Sequence, residues 1–565
     1  MLTRRDFIQV TAATAAMMAP LSGFGGIRSA AAGQKITQDE LLKFESVGQV
    51  TLLNFTDCHA QIVPLYFREP SVNLGVGGVH GLPPHITGEA FLKHFGLTPG
   101  TPEAYAFSSH DFAALTKDYG RIGGMAQMAT LIKAIRAERP ANALLIDNGD
   151  TWQGSYTSLK SRGADMVEIQ NALGVDVMTA HWEFTYGAER VQELIEMCNF
   201  PFLAGNVRDT EFDEPVFENT KFFERGGVNI AVIGQAFPYT PIANPRYMIP
   251  EWSFGIQEDI VRQHVEAARA DGADLVVLAS HNGFDVDRKL ASRVDGIDVI
   301  LTGHTHDAIP AVITVNNTLL VATGSHGKFL GRLDLEVQNK KIKDYRFKLM
   351  PVFSDAITPD PEMSAVVNKI RGPHESTLGT VLAKTEGTLY RRGNLNGTFD
   401  DLICDAMLQE RDAEIALSPG FRWGRSLPPG SDITVDDVYT QTAITYPACY
   451  RNEMTGEFLK VILEDVADNL YNADPYYQQG GDMVRVGGMG YTIDISKPIG
   501  ERISGMTLLR TGKPIDPTRN YVVSGWASVN EATEGPPIYD VVTDYLKKKK
   551  VVNVPENTNI KAIGG

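Results

Sequence analysis

The chain has 565 residues, 43% of them hydrophobic and 21% charged, with a net charge of −17. That length supports two or more domains with large cores. The acidic balance argues against a nucleic-acid surface, and no stretch beyond the amino terminus is apolar for long enough to span a membrane.

Taken in chain order, the first residues read as an export signal. Thr3-Arg4-Arg5-Asp6-Phe7-Ile8 is a twin-arginine pattern, residues 10–24 are moderately apolar, and Ser29-Ala30-Ala31-Ala32 is a small-residue cleavage region. Residues 1–32 are therefore expected to be a twin-arginine signal peptide that sends a folded protein to a bacterial periplasm. The four cysteines, Cys58, Cys198, Cys404 and Cys449, form no CxxC pair. A disulfide is chemically open in that compartment, but scattered positions do not reveal one. Cys58 reads as a packing residue.

A strand is expected over 50–55, followed by a long insertion, 64–117, rich in Gly, Pro and His, with a short helix near 89–95. A loop of that length is more often functional than idle. Regular alternation follows: helix 124–137, strand 143–146, helix 164–173, strand 175–178, helix 190–198, strands 202–204 and 229–233, helix 259–270, strand 275–279, helix 288–294, strand 299–301, and two β-branched runs, 318–322 and 330–337. This alternation predicts layered α/β structure. Composition shifts near Met350, and 355–381 reads as a linker with a helix over 362–370. The division is thus 33–354 for the first domain and 382–565 for a smaller second α/β domain, with helices over 399–409 and 456–469.

Metal-ligand residue types recur where apolar strands run into polar turns: Asp57 and His59 in TDCHAQ, Asp150 in LLIDNGD, His181 in MTAHWEF, His281 in VVLASHNG, and His304 and His306 in VILTGHTH. Loops at the carboxyl ends of strands converge in open α/β sheets. Seven N and O donors at one rim suit two divalent cations, with Asp150 as the carboxylate able to bridge them. Such a pair activates water and clamps a tetrahedral oxyanion. Imidazole and carboxylate without thiolate favour two Mn²⁺, with Zn²⁺ next. Arg422 in SPGFRWG and Arg391-Arg392 in LYRRGNLNG are candidate substrate arginines, because guanidinium forks match sulfate, sulfonate or phosphate.

These motifs resemble the 5′-nucleotidase family of calcineurin-like metallophosphatases over nearly all of the chain after the signal. The resemblance implies a four-layer α/β/β/α dimetal domain followed by a smaller substrate domain, with LICDAM from Leu402 and Arg422 at family-like positions. Two departures point to a subfamily. Where nucleotidases have GNHEFDYG, this chain has AHWEFTYG, so His181 replaces a ligand Asn, and Trp182 and Thr185 replace the catalytic His–Asp dyad. Nucleotidases also sandwich a base between aromatic rings and use a GGDG turn; the stretches compared with them here, ITYPACYRNEM and SGWASVNEATEGPPIYD, do not match.

Both departures, the TDCHAQIVPLYFREP opening and the insertion are similar to the SoxB thiosulfohydrolases of bacterial sulfur oxidation. That resemblance implies a periplasmic dimanganese hydrolase acting on S-sulfosulfanyl-cysteine, Cys-S-S-SO₃⁻, on the swinging arm of the carrier SoxYZ. Asp150, His181 and Arg422 would serve catalysis; Arg422, Arg391, Arg392 and Trp182 would contact the substrate. The alternatives are a periplasmic 5′-nucleotidase or cyclic phosphodiesterase, and, from another class, a non-catalytic binding protein on this fold.

Overall fold

The structure is a computed structural model that describes residues 36–564; the expected signal segment lies outside the described residues. Two sheets form the first half. One orders its strands Lys341–Pro351, Phe329–Gln338, Val50–Phe55, Ala143–Asp147, Val177–Met178. The other runs Ile313–Val315, Thr318–Ala322, Val299–Thr302, Leu275–Ser280, Val228–Gln235, Thr220–Arg225. Inside each sheet the central strands are parallel, as their helical crossovers require.

Residue alternation explains the layering. Val50, Leu52, Leu144 and Ile146 of the first sheet meet Ile230, Val232, Leu275, Val277, Val299 and Leu301 of the second in one apolar layer. The intervening residues, among them Leu53, Leu145, Ile233, Leu278 and Ile300, face the outer helices. Strands buried on both faces are mostly apolar, and Val50–Phe55 and Leu275–Ser280 are buried at every position, their polar members Thr51, Asn54 and Ser280 each hydrogen-bonded. Helices such as Met125–Glu138 and Glu258–Ala270 close the outer layers. The result is the four-layer α/β/β/α arrangement.

The helix Pro361–Arg371 leads to the second half, its start fixed by Asp360, whose side chain accepts from the Met363 N–H, and by a proline at its first position. There a sheet of Cys449–Thr455, Asn520–Trp526, Ile415–Ser418 and Arg485–Gly487 has helices Thr398–Glu410 and Ile538–Lys549 on one side, where Leu402, Met407, Val542 and Leu546 pack together. Helix Gly456–Tyr471 covers the other side with Leu459 and Leu463 against Ile415 and Val523.

Three local expectations change. The insertion carries three helices, Gly88–Phe95, Pro102–Phe107 and Phe112–Tyr119, the second started by Thr101, whose side chain accepts from the Ala104 N–H. In the stretch 202–204, Phe202 and Leu203 make isolated bridges and no strand forms. The helix expected over 288–294 begins earlier, at Phe284, because the turn after His281 is short.

Candidate metal centre

The seven residues at the strand ends converge. Asp57, His59, Asp150 and His306 form one group, and Asp150, His181, His281 and His304 a second; within each group the donor atoms lie within 4.8 Å of one another. Asp150 belongs to both. Each is delivered by the polar turn that follows a buried strand: Val50–Phe55 for Asp57 and His59, Ala143–Asp147 for Asp150, Val177–Met178 for His181, Leu275–Ser280 for His281, and Val299–Thr302 for the two last histidines. Five of them have left-handed backbone, with φ of 50° at Asp57, 45° at His59, 58° at Asp150, 74° at His304 and 58° at His306. Such conformations cost about 1–3 kcal/mol each and persist where surrounding structure enforces them, as at functional sites. Gly149, at φ 89°, lets the Asp150 loop pass Ala180: a Cβ there would sit 2.7 Å from the Ala180 Cα.

The distances describe donors turned toward shared points. His59 Nε2 and His306 Nε2 are 3.1 Å apart. His306 Nε2 lies 3.1 Å from Asp57 Oδ1, and Asp150 Oδ2 is 3.0 Å from His181 Nδ1 and 3.3 Å from His281 Nε2. Backbone partners orient two rings. His281 Nδ1 donates to the Asn148 carbonyl at 2.6 Å, which aims Nε2 at the carboxylates. His304 Nε2 donates to the Gln479 carbonyl at 2.8 Å, leaving Nδ1 as the coordinating atom.

Electrostatics makes the same point. Burial pushes the Asp57 carboxyl up to about 7, and Asp150 adds to this against the pull of His281. Burial also acts on Asp150, but His181 and His59 outweigh it and hold it well below the carboxylate range. Burial pulls His59 down to about 4 and takes His304 and His306 well below the usual imidazole range. His281 is held up at about 9 because Asp57 and Asp150 overcome its burial. The neutral imidazoles of His59, His304 and His306, packed with buried carboxylates, are a donor set suited to cations. Asp57 Oδ1 and His304 Nδ1, two of the atoms turned toward the cluster, are buried without a hydrogen-bond partner. Buried polar atoms in folded proteins generally find a hydrogen-bond partner, and with the converging donor atoms of the two groups these residues fit a pair of divalent cations.

A cavity of about 300 Å³ opens on this cluster and is walled on the other side by Phe421, Arg422 and Trp423. Trp182 forms part of its wall, edge-on to Trp423 at 4.9 Å and stacked with Tyr446 at 6.2 Å. Arg422 is held by its backbone neighbours: its guanidinium donates to the Gly481 carbonyl, and to that of His304 at 3.4 Å. Asp482 lies 3.6 Å from its Nε.

The two paired arginines separate. Arg391 is fully buried, bonded through Nε to Asp400 at 2.9 Å and through Nη1 to the Gln441 carbonyl at 2.6 Å. It sits behind Phe421 and Trp423 and does not line the cavity, so the structure does not bring it where a substrate contact was expected; Asp400 engages its Nε, and its buried Nη2 has no hydrogen-bond partner. Arg392 lines a smaller adjoining cavity of about 60 Å³, shared with Arg422 and His304, and its buried Nε has no hydrogen-bond partner.

Several site residues escaped sequence reasoning. Glu183 accepts four backbone N–H groups, from Asp150, Thr151, Trp152 and His181, and so ties two ligand loops together. His326 packs against His59 and His306. Gly480, Gly481 and Asp482 wall both cavities; the GGD triplet that could have revealed them stands in QQGGDMVRV. The four cysteines are free, and Cys58 is buried, as its packing role requires.

Comparison with known proteins agrees with this geometry. The family model of the 5′-nucleotidase C-terminal domain matches residues 378–540. The bovine (Bos taurus) 5′-nucleotidase is 23% identical over 431 residues, spanning 69% of this chain and 73% of that protein. A 5′-nucleotidase precursor from Thermus thermophilus superposes with a TM-score of 0.72 at 22% identity, covering 92% of this chain and all of that one, which shows the shared fold. Fold and donor set together define a metallophosphatase-type hydrolase of the 5′-nucleotidase superfamily. Within it, the sulfate thiohydrolase SoxB of Thermus thermophilus matches with a TM-score of 0.90 and 38% identity over 93% of this chain and 98% of that one. This chain belongs to the SoxB family.

Proposed function

We propose that this protein hydrolyses a sulfonate held on a cysteine of a carrier protein, Cys-S-S-SO₃⁻, releasing sulfate, with two Mn²⁺ in the cluster built on Asp57, His59, Asp150, His181, His281, His304 and His306. The observation that carries the reading is what stands beside the cluster. Trp182 and Thr185 occupy the segment after His181, and Trp182 lies among Phe421, Trp423 and Tyr446, while the Thr185 hydroxyl donates to the Trp182 carbonyl at 2.7 Å. Neither offers a leaving group a titratable proton near neutral pH.

That absence suits a sulfur leaving group. A water oxygen bonds to the terminal sulfur, the bond between that sulfur and its neighbour breaks, the electron pair stays on the persulfide sulfur, and both water protons pass to solvent as sulfate leaves. A persulfide leaves without protonation; an alkoxide does not. When bound, two divalent cations supply an activated water and charge to balance the oxyanion. Arg422 adds a fixed donor on the opposite wall, Trp182 and Trp423 keep that wall apolar, and Arg392 is the candidate second guanidinium. A carrier such as SoxYZ in a bacterial periplasm is the partner and compartment this reading needs, with export by the segment 1–32. The non-catalytic reading finds no support in a donor set complete at all seven positions.

A second reading, nucleotide hydrolysis, is favoured by the match over 378–540 and by the Gly480-Gly481-Asp482 turn on the cavity wall. Sulfate release from a thiosulfate-loaded carrier, measured beside phosphate release from AMP, decides between them. Sulfate release outpacing phosphate release is expected; AMP turnover exceeding the carrier reaction moves the assignment to a nucleotidase.

A further inference from the structure

His326 is fully buried, has φ of +60°, and belongs to none of the strand-end ligand groups. It stands where three segments meet. Its backbone N–H donates to the Asp57 carbonyl at 2.8 Å. Its ring lies 4.3 Å from Phe67 of the insertion and 5.6 Å from His59. Its Nε2 accepts the N–H of Gly424 at 3.1 Å, two residues beyond Arg422. A backbone N–H can only donate, so Nε2 is unprotonated. The proton is then on Nδ1, which donates to Ser325 Oγ at 2.7 Å. Burial holds the ring neutral, well below the usual imidazole range.

The Arg422–Ser426 turn has other anchors. Gln441 Nε2 donates to the Arg425 carbonyl at 2.7 Å, and the Ser426 N–H donates to the Tyr66 carbonyl at 2.8 Å. Those fix it to the second half and to the insertion. His326 fixes it to the loop that also holds the Asp57 backbone. A left-handed, fully buried histidine whose two ring nitrogens are both committed is costly as mere filler, since Phe would fill the same space without polar atoms to satisfy.

We propose that His326 is a positioning residue: through the hydrogen bond from Gly424 it sets the height of the Arg422–Trp423 turn over the metal cluster, and so the fit of a tetrahedral oxyanion between them. This rests on the reading of Arg422 as an oxyanion contact, and it holds whether the anion is a sulfonate or a phosphate.

The test compares His326→Phe, which keeps the ring and loses the acceptor, with His326→Gln, whose Oε1 replaces Nε2. Each is purified metal-loaded, and binding of inorganic sulfate and inorganic phosphate is measured by calorimetry beside metal content. His326→Phe is expected to weaken anion binding about ten-fold with both metals retained, and His326→Gln to recover most of it. Wild-type affinity in His326→Phe, or equal weakening in both variants, overturns the proposal. So does loss of metal in step with affinity, which would make His326 a support of the ligands alone. Should neither variant fold, Ser325→Ala releases the Nδ1 proton and must itself weaken anion binding; unchanged affinity there overturns the proposal too. Because free anions are the probe, the outcome does not depend on whether the carrier reaction succeeds.

Discussion

At the scale of single residues, Arg422 carries the heaviest demand. Its guanidinium is largely buried, its pKa is lowered by burial, and Asp482 is the main group that offsets this. Asp482 is itself shared, accepting from Arg485 at 2.9 Å and from Asn394 at 3.2 Å. The fork is thus held in place before any anion arrives, which is what makes an oxyanion donor effective. Replacing it, Arg422→Ala, should raise the barrier by about 2–4 kcal/mol, the scale of losing one such donor. Single-turnover sulfate release reads the effect, while elemental analysis should still find two metals, since arginine is no ligand. Equal rates in variant and wild type would remove Arg422 from the reaction. The same residue scale shows where sequence reasoning stops. A Gly-rich turn after a strand made Arg422 visible. Arg391 and Arg392 looked equivalent, yet Asp400, nine residues on, claims one guanidinium and leaves the other facing a cavity; only the fold brings Asp400 there.

At the scale of elements, the five ligand loops were legible because each combines two strong local signals, a mostly apolar strand and an abrupt turn to Asp or His. The pairing of both sheets follows from that alternation. The segment from Asn472 to Asp482 was not legible, because nothing in its own composition says what it lies against. It crosses from the second half to the first: Asp474 pairs with Lys289 at 2.5 Å, the Tyr476 hydroxyl donates to Glu258 at 2.8 Å, and the Gln479 carbonyl takes the His304 proton. The strap therefore sets which nitrogen of His304 faces the cluster. Gly480 is the tightest point, with φ of +70° and a Cβ position only 2.5 Å from His304 Nε2. Gly480→Ala must either push the ring or lift the strap. It should weaken retention of one of the two metals, seen by dialysis against low metal followed by elemental analysis. Full retention of both would show that the strap yields without disturbing His304.

At the scale of the whole molecule, the cluster should couple metal, pH and folding. Its carboxylates and imidazoles sit at the junction of both sheets and under the second half, so their charge state acts on the entire fold. Without metal, Asp57 is raised from 3.8 to about 7 and His281 from 6.5 to about 9. The signs agree. A raised carboxyl means that the folded state resists losing its proton, so metal-free stability falls as pH climbs from the unfolded value near 4 toward 7. A raised imidazole stabilises the fold while protonated in both states, and that contribution fades as pH rises through about 9. Metal binding works the other way. Both protons must leave for the donors to coordinate, so apparent affinity grows with pH across the same window, and ligand that binds only the folded state adds RT ln(1 + [M]/Kd), about 2.7 kcal/mol at a hundred-fold excess over Kd. The gap in Tm between Mn²⁺-loaded and chelator-treated protein should therefore widen steadily from pH 5.5 to pH 8.5. Calorimetry of Mn²⁺ binding in buffers of different ionisation enthalpy should show proton release over that interval. A gap that stays constant or narrows would mean that Asp57 and His281 are already deprotonated in the metal-free fold. The cluster would then be preformed at neutral pH, with some other positive group balancing its carboxylates.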